Sequence, residues 1–283
     1  MNIGIIGSGV VGYATGIGLS KLGHKVVFND INEDILKKLN DKGYKVTRDY
    51  SELLSDNEII QICVPTPNKD GIQDLSIISR VIEKLGKYLI KTEEYKVIVI
   101  RSTILPTYTR KKILPIIQKT SGLTPGEEFG LCVNPEFMRQ ASALDDFLNP
   151  WRIVIGEYDK RSGSLLEEVY KPLKTRVFRT NLETAELIKY ISNAFLSSKI
   201  SFFNEMYFIS SKIGVDPDLV SNIVALDPRI GKYGIKGGRP FRGACLPKDL
   251  NAFIEFLHLL DLNPQILSSV LEINNKMQSH NDI

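Results

Sequence analysis

The sequence has few cysteines and no feature of a membrane protein. The three cysteines among its 283 residues, Cys63, Cys132 and Cys245, have neither the spacing of a zinc site nor the pattern of a disulfide framework. No apolar stretch is long enough to span a bilayer, and the first residues do not form a signal peptide. The formal net charge of +3 is spread without a basic patch. We therefore expect a cytoplasmic protein with no metal site, no nucleic-acid partner and no membrane partner.

The length and composition are those of an ordinary globular protein. Hydrophobic residues make up 43% and charged residues 24% of the chain, and no internal repeat or low-complexity tract interrupts it. Because a single domain usually has about 100–200 residues, the chain is expected to form two domains.

The first part of the chain alternates short β-type runs with amphipathic helical patterns. This alternation is typical of βαβ units and predicts an α/β fold with a Rossmann-type, doubly wound parallel sheet. The predicted strands are Ile3–Ile6, Lys25–Asn29, Ile59–Val64, Lys96–Ile100, Gly130–Val133 and Arg152–Ile155. The predicted helices between them include Val10–Leu22, Glu33–Lys42 and Leu75–Leu89.

The β-type runs stop near Asn181, and apolar residues then recur at helical spacing up to about Gly214. Further helices are predicted to begin at Asp216 and near Lys248 and Pro264. We therefore expect a Rossmann-type domain over residues 1–180 and an all-helical central domain over residues 181–283. The segment 227–247 is rich in Gly, Pro and Arg and is too long for a simple connector, which indicates a functional loop.

A glycine-rich motif follows the first predicted strand and opens the first helix. A G-x-G-x-x-G pattern at such a turn lets the backbone approach a pyrophosphate at the helix N-terminus. Asp30 ends the next strand, at about the sequence separation from the glycine motif at which dinucleotide-binding domains have an acidic residue. Such a carboxylate binds the ribose hydroxyls of NAD and repels the 2′-phosphate of NADP. An ordinary tight turn is the alternative, but the combination favours NAD. The residues of the motif that we assign to cofactor binding are Gly7, Gly9, Val10, Val11 and Gly12.

Two further turns are predicted to line the same crevice, because the carboxyl ends of parallel strands face the ligand in such sheets. Thr66 follows one strand, between Pro65 and Pro67, and Ser102 and Thr103 follow another. For Thr66 a cofactor contact and simple turn chemistry are equally good explanations.

Cys245 differs from the other two cysteines, which lie in apolar strands and are expected to be buried and inert. It closes the glycine-rich loop just before a predicted helix and stands near Lys248. A helix N-terminus and an ammonium both favour a thiolate, so Cys245 is the candidate nucleophile, with a plain buried cysteine as the alternative. A reactive thiol in a redox enzyme indicates chemistry on an aldehyde.

Together with several other segments, the residues around Cys245 resemble the UDP-glucose/GDP-mannose dehydrogenase family, and the resemblance covers essentially the whole sequence. The matching segments are Asp227-Pro-Arg-Ile-Gly231, Gly243-Ala-Cys-Leu-Pro-Lys-Asp249, Asn134-Pro-Glu-Phe137 and Ala185-Glu-Leu-Ile-Lys-Tyr-Ile-Ser-Asn-Ala-Phe195, in the order typical of the family. The resemblance implies oxidation of an alcohol to an aldehyde and then to an acid. Two NAD molecules are reduced, and a cysteine thioester is formed and hydrolysed.

The resemblance also implies the roles of individual residues. Cys245 would carry the thiohemiacetal and the thioester, while Lys189 and Asn193 would hold the oxygen that becomes negative. Asp249 and Thr103 would position or activate water, and Glu136 would assist the hydrolysis. Without the resemblance, a solvated helix stripe for Lys189 and Asn193, a helix cap for Asp249 and a surface charge for Arg229 would be preferred. The other residues assigned through the resemblance are Gln140 and Lys248 for the cofactor, and Glu136, Phe137, Met138, Lys189, Asn193, Arg229, Lys236, Gly237, Gly238, Phe241 and Arg242 for the substrate.

The substrate implied by Phe137 and by the stretch around Asn204 is UDP-glucose, and the long helix would form a homodimer in which Arg229 reaches the neighbouring subunit's substrate. The sequence also departs from the family. The family's C-terminal nucleotide-binding domain is absent from it, either because the protein is short or because the chain is a piece of a longer one. Gln140 stands where a second glutamate is common, and Arg242 adds a cation that is expected to offset lost diphosphate contacts.

The sequence alone leaves two other functions open. One is a single-step β-hydroxyacid dehydrogenase that uses Lys189 as its acid and base, which leaves Cys245 without a role. The other is a non-catalytic protein that binds NAD or a nucleotide sugar.

Overall fold

A computed structural model of the protein describes residues 1–69, 71–92 and 94–281. It contains the six predicted strands, each within two residues of the predicted bounds, together with strands and helices that were not predicted. The strands are β1 Asn2–Ile6, β2 Lys25–Asn29, β3 Lys45–Val46, β4 Ile59–Ile62, β5 Asn68–Lys69, β6 Ile72–Gln73, β7 Lys96–Ile100, β8 Phe129–Val133, β9 Ile153–Glu157 and β10 Val177–Thr180. The helices are α1 Val10–Lys21, α2 Glu33–Asn40, α3 Tyr50–Ser55, α4 Ser76–Leu89, α5 Leu114–Ser121, α6 Ala143–Leu148, α7 Lys160–Tyr170, α8 Leu182–Lys212, α9 Pro217–Val224, α10 Leu246–His258 and α11 Gln265–Asn281. A π-helix, Thr109–Ile113, leads directly into α5.

The chain divides into two compact units. The first comprises Met1–Pro67 and Asp74–Lys189, and the second comprises Asn68–Gln73 and Tyr190–Ile283. The division falls inside the continuous helix α8, so the boundary after residue 180 stays a prediction. Within the described residues, no helix has the length and apolarity needed to cross a bilayer.

The first unit contains an eight-stranded sheet in the order β10-β9-β8-β7-β4-β1-β2-β3. Successive residues of β7 face opposite sides of it: Ile98 and Ile100 belong to one hydrophobic core, and Val97 and Val99 belong to another. A sheet buried on both faces is typical of a doubly wound fold, as predicted. The pairs of this sheet are parallel except for one, because β9 pairs with β8 in the antiparallel direction.

The order of the sheet creates a ligand crevice between β1 and β4. From β1 the chain proceeds to β2 on one side, whereas β4 and β7 follow on the other side. Ligands in open α/β sheets bind at such a reversal, outside the carboxyl ends of the strands. The glycine-rich turn after β1 and the turn after β4 therefore flank the expected cofactor site.

The second unit is helical apart from the short antiparallel ribbon of β5 and β6. Its longest helix, α8, has 31 residues, some of which belong to the first unit. The loop between α9 and α10 corresponds to the segment that was predicted to be functional.

Candidate functional site

The glycine-rich turn leaves room for a ligand at the start of α1. Gly7 has a φ of +87° and donates its N–H to the carbonyl of Asn29 over 2.9 Å. A Cβ on Gly12 would overlap the carbonyl oxygen of Gly7, so the helix can approach the turn this closely only with glycine there. A Cβ on Gly9, in contrast, would meet open space.

The N-terminus of α1 is suited to an anion. The first turn of α1 contains no acidic residue, and no side chain caps the helix by accepting a hydrogen bond from its first amides. Exposed N–H groups and the positive end of the helix dipole favour a phosphate at such a position. Val10 and Val11 supply the first amides of the helix, and the expected contact of this turn with a pyrophosphate stays a prediction.

Asp30 lies at the end of β2 and supports the glycine-rich turn. Its Oδ2 accepts the N–H of Ser8 over 2.6 Å, and its Oδ1 accepts that of Asn32 over 2.8 Å. These bonds fix the orientation of the carboxylate. Its proposed contact with the ribose stays a prediction.

The turns after β4 and β7 are joined to each other. The hydroxyl of Thr66 donates to the carbonyl of Thr103 over 2.8 Å, and the hydroxyl of Ser102 donates to the carbonyl of Val64 over 2.6 Å. In this structure both hydroxyls therefore connect the two turns. The flanking Pro65 and Pro67 are exposed.

Gln140 lies beside the glycine-rich turn, and its assignment to the cofactor stays a prediction. It is exposed and lines a groove of about 430 Å³ together with Ser8, Gly9 and Tyr13. A glutamine there can donate and accept hydrogen bonds without placing a negative charge near a dinucleotide.

Lys189 and Glu136 form a buried ion pair in the first unit. The Lys189 Nζ lies 2.8 Å from Oε1 of Glu136 and 2.7 Å from its carbonyl oxygen, and the residues are 4% and 8% exposed. Burial alone would raise the pKa of Glu136. The charge and hydrogen bond of Lys189, the N–H of Met138 and the charge of Arg101 instead hold this pKa below its ordinary value. A solvated stripe is therefore the wrong interpretation of Lys189.

A buried polar network that the sequence did not reveal lies beside this pair. The Arg101 guanidinium donates to the side chains of Thr15 and Asn134, and the Tyr170 hydroxyl donates to Asn134 Oδ1 over 2.6 Å. These residues come from distant parts of the chain. The network orients Asn134, which begins the segment that carries Glu136.

Phe137 and Met138 line a small cavity of about 40 Å³ together with Glu136. The Arg152 guanidinium lies 4.0 Å from the centre of the Phe137 ring and holds it by a cation–π contact. Trp151, the one tryptophan of the sequence, lines the same cavity and is 73% exposed. No sequence motif singled out Trp151 or Arg152.

Cys245 occupies the start of α10 in the second unit. It is the N-cap residue, it is exposed, and its carbonyl accepts the N–H of Asp249 over 2.8 Å as the first turn of the helix. The helix begins at Leu246, slightly before the predicted start near Lys248. An exposed thiol at a helix N-terminus is in a favourable environment for a thiolate, so the alternative of a plain buried cysteine is wrong.

Asp249 connects two other predicted site residues of the second unit. Its carboxylate is 2% exposed and accepts Asn193 Nδ2 over 2.7 Å and Lys248 Nζ over 2.6 Å. The capping position belongs to Cys245, so Asp249 is not a helix cap. Asn193 is 7% exposed and is not part of a solvated stripe.

The loop before α10 is held in place by helices of the second unit. Phe241 is buried, and its backbone N–H donates to Oδ1 of Asn274 over 2.8 Å. Gly237 and Gly238 pack against the side chain of Tyr207. These three residues support the loop in this structure, and a direct contact with substrate stays a prediction for them.

Three cations of this loop have exposed side chains. Lys236 and Arg242 are exposed, and the Arg229 side chain is 88% exposed while it forms an ion pair with Asp227 over 2.6 Å. The interpretation of Arg229 as a surface charge therefore holds within a single chain.

Cys63 and Cys132 are buried, as predicted. Burial raises the pKa of each thiol to about 12, against small opposing contributions from Arg101 at Cys63 and from Ser162 at Cys132. Both thiols stay protonated at neutral pH and are unsuited to nucleophilic chemistry.

A Rossmann-type sheet with a glycine-rich turn, a helical second unit and an exposed cysteine at a helix start define a dinucleotide-binding protein of the dehydrogenase type. Residues 1–47 and 33–174 match the NAD-binding domain of the UDP-glucose/GDP-mannose dehydrogenase family, and residues 183–276 match its central domain. The chain therefore belongs to this family, and NAD is confirmed as its cofactor.

The relatives include enzymes named for UDP-glucose and enzymes named for GDP-mannose. UDP-glucose 6-dehydrogenase AglM of Haloferax volcanii is 35% identical over 97% of this chain and 70% of its own length. GDP-mannose 6-dehydrogenase of Pseudomonas aeruginosa is 34% identical over 100% of this chain and 70% of its own. A solved UDP-glucose dehydrogenase from Pyrobaculum islandicum has a TM-score of 0.90 and 33% identity, covering 97% of this chain and 68% of its own. The chain thus spans about two thirds of the length of these relatives.

Proposed function

We propose that the protein oxidises UDP-glucose to UDP-glucuronate in two NAD-dependent steps through a thioester on Cys245. The observation that supports this most strongly is the first turn of α10, where the exposed Cys245 precedes Lys248 and the buried Asp249. A nucleophile, a cation and a carboxylate in one helical turn suit covalent chemistry at a carbonyl carbon. Structural residues of an ordinary helix start would not require a buried carboxylate with two polar partners.

The cofactor residues support the redox part of the proposal. When bound, NAD supplies an acceptor for hydride. The chain's part is to hold the pyrophosphate at the amides of Val10 and Val11, to bind the ribose through Asp30, and to bring Gln140 and Lys248 to the cofactor. The uncapped N-terminus of α1 and the space beside Gly9 are the features that suit this role.

The first oxidation removes a hydride from the sugar carbon and a proton from its hydroxyl, which leaves an aldehyde. Asp249 and Thr103 would order the water that takes the proton. The Cys245 thiolate then adds to the aldehyde carbon, and the negative charge passes to the aldehyde oxygen. Lys189 and Asn193 would stabilise that oxygen by donating hydrogen bonds.

The second oxidation removes a hydride from the thiohemiacetal carbon and converts it to a thioester. Water then attacks the thioester carbon, the carbon–sulfur bond breaks, and the acid and the Cys245 thiolate are released. Glu136 would assist this step, and the lowered pKa of its carboxyl keeps it ionised and able to accept a proton from water.

The loop before α10 supports the choice of a nucleotide sugar. Its cations attract the two phosphates of such a substrate, although Arg229 is paired with Asp227, and Lys248 at the start of α10 is paired with Asp249. The exposed or partly exposed cations of residues 227–248 are Arg229, Lys232, Lys236, Arg239, Arg242 and Lys248. Phe137, already assigned to the sugar, and the stretch around Asn204 favour UDP-glucose within this class.

The exposed face of α8 supports a homodimer. Ile191, Phe195, Phe202 and Ile209 lie at spacings of four, seven and seven residues and are 53%, 65%, 52% and 49% exposed. Such a stripe runs along one side of a helix, and an apolar stripe of this size is typical of an interface. In a dimer through α8, Arg229 would reach the substrate of the neighbouring subunit.

The experiment that tests the proposed substrate is an assay with NAD and either UDP-glucose or GDP-mannose, in which the sugar product is identified by mass spectrometry. UDP-glucuronate from UDP-glucose, with at least tenfold slower turnover of GDP-mannose, is the expected result. Acid formation from GDP-mannose alone would contradict the choice of UDP-glucose. Absence of product from every nucleotide sugar, with NAD still bound, would favour a non-catalytic binding protein.

A further inference from the structure

Glu186 is a buried carboxylate on α8 that none of the proposed steps uses. It is 2% exposed, and its two oxygens accept the backbone N–H groups of Thr107, over 2.7 Å, and Thr109, over 2.9 Å. Hydrogen bonds from two amides to an ionised carboxylate are stronger than those between neutral groups. A single side chain therefore holds both ends of the short turn between these threonines.

This turn has a backbone that needs external support. Thr107 has a φ of +74°, in the left-handed region, which a β-branched residue rarely adopts. Such a conformation persists when surrounding contacts determine it. The carbonyl of Thr107 also accepts the N–H of Lys111 over 2.8 Å, so the turn starts the π-helix that leads into α5.

The segment that Glu186 holds is the loop that carries Thr103. At its beginning, the N–H groups of Arg101 and Ser102 both donate to the carbonyl of Ile62 over 3.0 Å. In its middle, the Thr103 carbonyl accepts the Thr66 hydroxyl. At its end, Glu186 is the side chain that fixes Thr107.

Glu186 also lies next to a second group of the proposed machinery. It precedes Lys189 by three residues on α8, so the two side chains share a helix face. Lys189 in turn binds Glu136. One turn of α8 thus holds both the ion pair and the end of the loop that carries Thr103.

We propose that Glu186, in its ionised form, is a positioning residue that sets the place of Thr103 relative to Lys189 and Glu136. The functional part of this inference rests on the proposed function, whereas the hold on the loop does not. Protonation of Glu186 would leave one oxygen as a hydroxyl, which is a donor and a poor partner for an N–H. The loop would then loosen, and catalysis would slow without loss of the fold.

The electrostatic surroundings of Glu186 make this protonation accessible near neutral pH. Burial raises its pKa to about 7, and the negative charge of Glu183 adds to this increase. The hydrogen bonds from Thr109 and Thr107 favour the ionised form and partly oppose it. Arg110, on the π-helix, forms an ion pair with Glu183, its charge also acts on Glu186, and Lys111 follows it in the chain. In the described part of the chain, the carboxylate of Glu186 is thus bound by amides and not by a cation.

The test compares Glu186→Gln with Glu183→Gln, a matched change on the same helix at an ion pair that binds no loop amide. Hydrogen exchange of the amides of Thr107 and Thr109 is measured at pH 8 and pH 6, after correction for intrinsic rates. In the wild type, protection should fall at the lower pH. In Glu186→Gln, amide protection should be reduced by about tenfold at both pH values, because the charge-assisted hydrogen bonds are lost. Glu183→Gln should keep wild-type protection at pH 8, and its loss of protection should move to lower pH because the charge of Glu183 helps to raise the pKa of Glu186.

Kinetics give the functional readout. The wild-type kcat should decline below about pH 7, whereas Glu186→Gln should have a kcat lowered by about tenfold, little change in KM, and no decline in this range. Thr107→Gly, added to Glu186→Gln, should restore part of the kcat, because glycine adopts a positive φ without support.

Unchanged amide protection in Glu186→Gln, or an acid decline of kcat that persists in it, would overturn the inference. If Glu186→Gln does not fold, the pH dependence of exchange in the wild type decides, and unchanged protection of the Thr107 and Thr109 amides between pH 8 and pH 6 would overturn the inference. If the wild type oxidises no nucleotide sugar, the proposed function fails, while the exchange data still support or overturn the hold of Glu186 on the loop.

Discussion

Asn193 donates a hydrogen bond from Nδ2 to Oδ2 of Asp249 over 2.7 Å, and both side chains are buried. The bond joins two residues that are 56 positions apart and that were assigned to the same chemistry from separate motifs. Asp249 also binds Lys248, so the carboxylate keeps its orientation through two partners.

Replacing Asn193 with alanine should leave a buried carboxylate short of a donor. The free energy of unfolding should fall by about 1–3 kcal/mol, the range for losing a partner of a charged group. Chemical denaturation measures this change. Ser198→Ala, on the same helix, removes a hydroxyl that donates only to the carbonyl of Ala194 and should cost less. Equal losses in the two variants would contradict a special role for the bond to Asp249.

Replacing Cys245 with alanine should abolish formation of the acid, because no thioester can form. Cys132→Ala is the control, and this variant should still form the acid because the thiol that it lacks is buried and protonated in the wild type. Iodoacetamide should label Cys245 and spare Cys63 and Cys132 in the folded wild type, as peptide mass spectrometry would detect. Undiminished acid production by Cys245→Ala would refute the covalent mechanism.

Alanine at Gly9 and at Gly12 should have different effects. Gly12→Ala places a Cβ against the carbonyl of Gly7 and should lower the melting temperature. Gly9→Ala meets no protein atom and should fold normally, yet it should weaken NAD binding at least tenfold if the pyrophosphate occupies that space. Calorimetric titration with NAD tests this. Normal NAD affinity in Gly9→Ala would place the cofactor elsewhere.

Because of Glu186, the free energy of unfolding should decrease as pH rises toward 7. Its folded pKa of about 7 exceeds the ordinary 4.5, so between these values the folded state binds more protons than the unfolded state. The contribution of this group to stability is therefore full below about pH 4.5 and is lost as pH rises to about 7, by about 3 kcal/mol at most. Denaturation curves of Glu186→Gln should lack this loss. An identical pH dependence in wild type and variant would contradict the raised pKa.

A charge on the apolar stripe of α8 should disrupt the proposed dimer. Phe202→Glu is expected to convert the dimer to a monomer in light-scattering measurements at micromolar concentration, because a buried carboxylate without a partner is costly. Ser211→Glu introduces the same charge at an exposed position on the opposite side of the helix and should stay dimeric. A monomeric wild type would refute the dimer.

Local motifs were sufficient to predict the features that depend on local chemistry. The turn from Gly7 to Gly12 was recognisable because its glycines, its strand and its helix are adjacent in sequence. The reversed direction of β9 was not, since apolar strand residues look alike in parallel and antiparallel pairs. The burial of Lys189 also required the structure, because its partner Glu136 is 53 residues away.

The polar network around Arg101 shows the same limit. Its partners Thr15, Asn134 and Tyr170 are spread over the chain, and no spacing rule connects them. Glu186 belonged to a recognised family segment, yet its role became apparent only from the amides of Thr107 and Thr109. Sequence patterns report which side of a helix is apolar, whereas the partner of a buried charge depends on tertiary packing.

The ratio of NADH formed to sugar consumed is the decisive measurement for a double oxidation through Cys245. The protein is incubated with NAD and limiting UDP-glucose until the reaction stops, and both quantities are measured. Two NADH per sugar is the predicted result. One NADH per sugar would contradict the double oxidation and favour a single-step dehydrogenase that uses Lys189 as its acid and base.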